Sequence, residues 1–131
     1  MTETPLPTPT PDSLPYWEGL RDGKLVLQRC GACGLVRHYP RPVCASCFSM
    51  AVEWVGASGR GTVHSWTETH HAFLPSFRAD LPYVLVTADL DEGVRMLARL
   101  RGPAAGLRAG AAVRCGFEKL GDWAVPVLEL A

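Results

Sequence analysis

Apolar and polar residues alternate through the second half of the chain. Val94, Met96, Ala98 and Leu100 fall on one side of an extended segment, and Arg95, Arg99 and Arg101 on the other. Val113, Cys115 and Phe117 likewise alternate with Arg114, Gly116 and Glu118. Strands are predicted over 61–70, 83–90, 94–101, 111–119 and 124–130. Turn formers separate them: Pro75 and Pro82, Asp91-Glu92-Gly93, Gly102-Pro103 through Gly110, and Gly121-Asp122. Five strands with a short insertion between the third and fourth predict a small closed barrel over residues 58–131. The type is the oligonucleotide/oligosaccharide-binding (OB) fold; an open sandwich uses the same strands.

The first half has a different rhythm. Leu14, Trp17 and Leu20 recur at helical spacing, so a short helix is predicted over 13–23. Asp12 or Ser13 caps it, Pro15 sits in its first turn and Gly23 ends it. A strand over 24–29 follows, then a cysteine cluster to residue 47, and glycines 56, 59 and 61 break the chain. Helix and cluster form one unit, residues 13–57. Before them, Pro5, Pro7, Pro9 and Pro11 alternate with Thr and Leu. Each ring fixes φ and removes an amide donor, so residues 1–12 read as a disordered or polyproline-like tail.

Cys30-Gly-Ala-Cys33 and Cys44-Ala-Ser-Cys47 are two C-x-x-C pairs separated by ten residues. Each pair suits a tight knuckle that turns both sulfurs toward one ion, and this spacing matches a tetrahedral metal site. Zinc suits four thiolates best; iron in a rubredoxin-like site is the alternative. With all four positions taken by cysteine the site is closed, hence structural: it folds a segment with too little apolar content to fold alone. A disulfide framework and a redox pair are weaker readings, because nothing points to secretion and no βαβ pattern surrounds either pair. Cys115, on the apolar side of its strand, reads as a small core residue.

Charge narrows the function. The chain has 131 residues with 13 basic and 13 acidic side chains. The balance is local as well as global, with five of each in residues 1–57 and eight of each in 58–131. Binding to a phosphate backbone normally shows a basic excess, which argues against nucleic acid as partner. No apolar run approaches the ~18 residues of a membrane helix, and no signal-peptide pattern opens the chain, so a cytoplasmic location is expected.

The sequence contains no convincing catalytic set. His70 and His71 are neighbours on a strand and point to opposite faces, His38 and His64 stand alone, and no nucleophile motif, GxGxxG or P-loop is present. Two surface features remain. Arg95, Arg99 and Arg101 form a basic stripe suited to a phosphorylated small molecule or to an acidic partner surface. The apolar run Phe73-Leu74-Pro75-Ser76-Phe77 lies in a long connection and needs a cover.

Taken together, Pro15-Tyr16-Trp17-Glu18-Gly19-Leu20, Leu27-Gln28-Arg29-Cys30-Gly31-Ala32-Cys33-Gly34, Pro40-Arg41-Pro42-Val43-Cys44, Gly59-Arg60-Gly61-Thr62-Val63 and Pro82-Tyr83-Val84 carry a resemblance. The chain resembles the family of OB-fold proteins with a rubredoxin-like zinc ribbon, long labelled a domain of unknown function, over residues ~13–130. Its second knuckle departs from the family's C-P-x-C-G, with Ala45 and Phe48 at the Pro and Gly positions. The resemblance implies a non-catalytic subunit in a heteromeric complex with a thiolase-like or lipid-transfer-protein-like enzyme acting on acyl-CoA thioesters. In particular it implies a retro-aldolase of steroid side-chain CoA esters. Leu14, Trp17, Leu20, Phe73, Leu74 and Phe77 are then the candidate partner interface, with Arg95, Arg99 and Arg101 as candidate contacts to CoA phosphates or to the partner. A single-stranded nucleic-acid binding module, stacking bases on Trp66, and a rubredoxin-like electron carrier are the competing readings.

Overall fold

The structure is a computed structural model in which residues 4–131 are described. One helix, α1 (Leu14–Arg21), precedes eight strands: β1 (Val26–Cys30), β2 (Val36–Arg37), β3 (Val52–Gly56), β4 (Arg60–Thr69), β5 (Tyr83–Leu90), β6 (Arg95–Leu100), β7 (Ala112–Leu120) and β8 (Trp123–Leu130). Strands β2, β1 and β3 form a small antiparallel sheet in that order. The other five close into a barrel in the order β4-β5-β6-β8-β7. The closed barrel, with its OB-like connections, replaces the sandwich alternative.

The predicted barrel strands match the observed ones to within a residue or two, because period-2 alternation marks a strand with one buried face. Met96, Ala98 and Leu100 are buried, while Arg95 and Leu97 face out. Three elements were not expected, the first being the two-residue strand β2, Val36–Arg37, inside the cysteine cluster. Strand β3 pairs along the whole of β1, from Val26↔Gly56 to Cys30↔Val52. Its residues are exposed or half-buried, so it carries little alternation to read. A 3₁₀ helix, Pro75–Asp80, fills the long connection before β5.

The barrel closes at two unequal seams. β4 and β7 pair antiparallel over Arg60↔Arg114, Gly61↔Val113 and Thr62↔Ala112. β6 and β8 pair parallel over only Arg99↔Val127 and Leu100↔Leu128. At the first seam Gly61 is required, because a Cβ there would stand 2.2 Å from the Asp89 carbonyl oxygen.

One hydrophobic core spans the boundary between ribbon and barrel. Tyr16 and Leu20 of the helix, with Leu25 and Leu27 around β1, join Val63, Val86, Met96, Val113 and Leu128 of the barrel. This corrects one expectation: Leu20 is 1% exposed and presents no surface to another chain. Of its helical stripe, Leu20 and Trp17 pack on this chain's own core while Leu14 stays exposed.

Candidate metal centre and the surfaces around it

The four predicted ligands converge. The Sγ atoms of Cys30, Cys33, Cys44 and Cys47 all lie within 4.8 Å of one another. Cys30 and Cys47 sulfurs are 3.5 Å apart, and those of Cys33 and Cys44 3.7 Å. Zinc–thiolate bonds of about 2.3 Å in a tetrahedron require sulfur separations of about 3.8 Å.

Two similar knuckles produce this geometry. In the first, Cys30 N–H donates to the Leu35 carbonyl and Gly34 N–H to the Cys30 carbonyl; in the second, Cys44 N–H donates to Ser49 and Phe48 N–H to Cys44. Each chain reversal needs a left-handed residue after the second cysteine: Gly34 at φ 80° and Phe48 at φ 64°. The knuckles also aim amides at sulfur. Cys33 and Ala32 N–H groups, each 3.4 Å from Cys30 Sγ, hold that thiol down to about 6. Cys47 and Ser46 N–H groups lower Cys44 in the same way. The Ser49 N–H pulls Cys47 downward, yet the neighbouring sulfurs, Cys30 first, together with burial push it up to about 11. Protein donors thus favour some of the thiolates, and their mutual repulsion opposes the full set. A divalent cation at the centre relieves that repulsion, so the donor set fits a metal.

Between the knuckles the return segment is tied down by groups that pattern reading did not single out. Arg37 is buried, donating from Nε to Gln28 Oε1 at 2.8 Å and from Nη2 to the Arg41 carbonyl at 3.1 Å. Arg41 N–H donates to the same Gln28 oxygen. Next along the chain, Tyr39 reaches the barrel. Its hydroxyl accepts from Leu97 N–H at 2.9 Å and lies 3.4 Å from the Leu97 carbonyl, on β6. Burial lowers His38 beside it to about 4.

The other singled-out residues are dispersed. Phe73 is 85% exposed and Leu74 and Leu14 are also exposed, whereas Trp17 and Phe77 are half-buried. The arginine stripe exists, but each member already has an acid: Arg95 with Asp89 at 2.6 Å, Arg99 with Asp80 at 3.0 Å, and Arg101 with Glu129. Arg99 also lies 4.2 Å over the Tyr83 ring and 5.6 Å from that of Phe77. It thereby pins the 3₁₀ segment to the barrel. His70 sits 3.2 Å from Glu68 at the surface. Cys115 packs against the core, and burial pushes its thiol up to about 11.

Known proteins share this arrangement. Residues 17–53 match the family described as the ChsH2 rubredoxin-like zinc ribbon domain, and residues 54–118 the ChsH2 C-terminal OB-fold domain. A solved structure titled Ltp2-ChsH2(DUF35) aldolase superposes with a TM-score of 0.86 at 32% identity, covering 95% of this chain and 98% of that one. The chain belongs to the ChsH2 family. Three relatives match this ChsH2-family chain over part of their own length. A probable enoyl-CoA hydratase alpha subunit from Thermomonospora curvata is 38% identical over 75% of this chain. The 3-oxo-4,17-pregnadiene-20-carboxyl-CoA hydratase alpha subunit of Mycobacterium tuberculosis is 35% identical over 91% of it. The chain spans 30% and 38% of the length of these two relatives. The benzoylsuccinyl-CoA thiolase subunit BbsA of Geobacter metallireducens is 30% identical, over 74% of this chain and 58% of its own. A DUF35-family protein of unknown function from Sulfolobus solfataricus, at 17% identity and TM-score 0.62 over 92% of this chain and 86% of its own, shares the fold.

Proposed function

We propose that this chain is a non-catalytic accessory subunit of a thiolase-fold enzyme acting on acyl-CoA thioesters, and that the enzyme is a retro-aldolase of steroid side-chain CoA esters. The observation that carries this reading is the near-complete match, at 32% identity, to a chain of a structure titled as an aldolase complex. A relative named as a thiolase subunit supports a thiolase-like partner, and one named for a pregnadiene carboxyl-CoA supports a steroid-derived substrate.

The ion at the four cysteines is zinc in this reading, which the zinc-ribbon family description supports. When bound, it supplies structural cross-linking of the two knuckles. The chain's own residues then act by position. The cysteines with their amide donors fix the ribbon, and Tyr39 ties the ribbon to β6. Phe73 and Leu74 offer the apolar surface that a partner covers, the exposed Leu14 and half-buried Trp17 and Phe77 remain further candidate contacts, and the buried Leu20 leaves the set. For an acyl-CoA phosphate to use Arg95, Arg99 or Arg101 it must displace Asp89, Asp80 or Glu129, so these arginines serve better as paired surface cations facing the partner.

The test is affinity purification of the tagged chain from its native host, followed by assay of the complex for acyl-CoA carbon–carbon cleavage. A stoichiometric thiolase-like protein, lost on Phe73→Asp with the metal retained, is expected. A colourless preparation with one zinc per chain is expected as well. Bound iron would support an electron carrier instead, and salt-dependent oligonucleotide binding with no thiolase-like protein would overturn the reading.

A further inference from the structure

The ribbon tip that carries the cysteines is apolar and uncovered. Phe48 is 76% exposed and Met50 72%, and Leu35, Val43 and Val52 are exposed as well. The backbone gathers them around the sulfurs. The Leu35 carbonyl accepts from Cys30 N–H, Phe48 N–H donates to the Cys44 carbonyl, and Val52 pairs with Cys30 across the sheet. Residues 30–36 and 42–52 contain no Asp, Glu, Lys, Arg or His. At the border of the tip, Arg29 and Glu53 pair with each other at 2.7 Å. Exposed apolar side chains on a surface without charged residues mark an interface core, not a solvated face.

Phe48 keeps its place against the preference of its own backbone. Among the described residues it is the one non-glycine residue at positive φ, 64°. There its Cβ crowds the following carbonyl, whereas Gly34 makes the same chain reversal in the first knuckle without that crowding. The turn therefore calls for glycine, and the exposed phenyl ring gains little packing from this chain in return. Backbone strain of this kind collects where a side chain serves a function. A bare aromatic ring on a charge-free tip serves one by filling a pocket on another protein.

The charge of the tip selects that protein. Four thiolates outweigh one divalent cation, so the tip with its metal is net negative, and Cys47, next to Phe48 in the chain, is exposed. Two copies of such a tip repel each other, and an apolar pocket rimmed by N–H donors or basic side chains attracts it. We propose that the ribbon tip is a docking surface for the thiolase-fold enzyme subunit, with Phe48 as the anchor that enters an apolar, basic-rimmed pocket there and Met50 as its companion. The identity of that subunit rests on the accessory-subunit reading. The surface is separate from the candidate contacts Leu14, Trp17, Phe73, Leu74 and Phe77.

The test uses the full chain, zinc-loaded, as the unaltered protein and as Phe48→Gly and Phe48→Tyr. The probe is the thiolase-like subunit that the unaltered chain recovers from its host, purified and titrated by calorimetry. Phe48→Gly is expected to raise the thermal unfolding midpoint of the isolated chain and yet to bind the subunit at least ~10-fold more weakly. Phe48→Tyr is expected to keep most of the affinity. Opposite movement of stability and affinity separates an anchor from a residue that merely holds the fold, whose loss lowers both. Light scattering of the isolated chain is expected to show a monomer. Undiminished affinity in Phe48→Gly, or a dimer of the unaltered chain that Phe48→Gly dissolves, would overturn the inference and leave the accessory-subunit reading standing. Failure of the unaltered chain to bind any thiolase-like subunit would overturn both.

Discussion

At the scale of single residues, the two knuckles differ at one informative position. Gly34 and Phe48 occupy corresponding left-handed positions, at φ 80° and 64°. A side chain in that conformation costs about 1–2 kcal/mol because Cβ crowds the following carbonyl. Phe48 is 76% exposed, so packing returns little of that cost within this chain. Phe48→Gly is therefore expected to stabilise the isolated protein by about 1 kcal/mol, read as a rise in the thermal unfolding midpoint. Gly34→Ala should do the reverse. The departure from C-P-x-C-G was visible in the sequence; its conformational consequence needed the backbone. Leu20 shows the opposite relation. Its helical spacing was legible, but spacing does not say what covers each residue, and the structure buries Leu20 in this chain's own core while Leu14 stays exposed.

Among the elements, the short parallel seam between β6 and β8 is closed by side chains as well as by backbone. Glu129 on β8 accepts from Arg101, just after β6, and from Arg114 on β7; Arg101 Nη1 also donates to the Phe117 carbonyl at 3.1 Å. These partners, hydrogen bonding from Arg101 first, hold the Glu129 carboxyl below its ordinary value. The folded form thus prefers the carboxylate more strongly than the unfolded form does. That contribution is present above the ordinary glutamate value near ~4.3 and is lost as pH falls through the lower folded value. Glu129→Gln is expected to lower the midpoint by a few degrees at neutral pH and to flatten the decline on acidification, measured by circular dichroism from neutral to acid pH. An unchanged acid limb would show that other carboxylates govern it. The five barrel strands were readable from alternation. Strand β3 was not, because only its pairing with β1 makes it a strand: its side chains face outward or lie half-covered.

Across the whole molecule, ribbon and barrel share one core and one polar bridge, so they are expected to respond together. Removing the metal leaves four converging thiols without the cation that holds them, and structural zinc contributes on the order of 10 kcal/mol of folding free energy in small sites. Chelation should therefore unfold residues of the knuckles first. It should also loosen the barrel where Tyr39 meets β6, because Leu97 N–H loses its acceptor. Hydrogen exchange with and without chelator measures this: Leu97 is expected to lose protection while Val86 and Ala88, deep in the barrel, keep most of theirs. Protection at Leu97 that is indifferent to the metal would show that the two parts are uncoupled. Among the described residues no helix is long and apolar enough to cross a membrane.

The sequence alone determined the four cysteines that converge and the barrel strands, because both are written in local spacing. Two C-x-x-C pairs name a site wherever the chain folds, and a period of two names a strand with one buried face. Tertiary structure decided everything that depends on which surfaces meet. It buried Leu20, neutralised the arginine stripe with Asp80, Asp89 and Glu129, and joined Tyr39 to Leu97. The physical reason is separation along the chain. Tyr39 and Leu97 are 58 residues apart, and Arg101 and Glu129 are 28 apart. A hydrogen bond or an ion pair between them has no local periodicity and exists only once the barrel has closed.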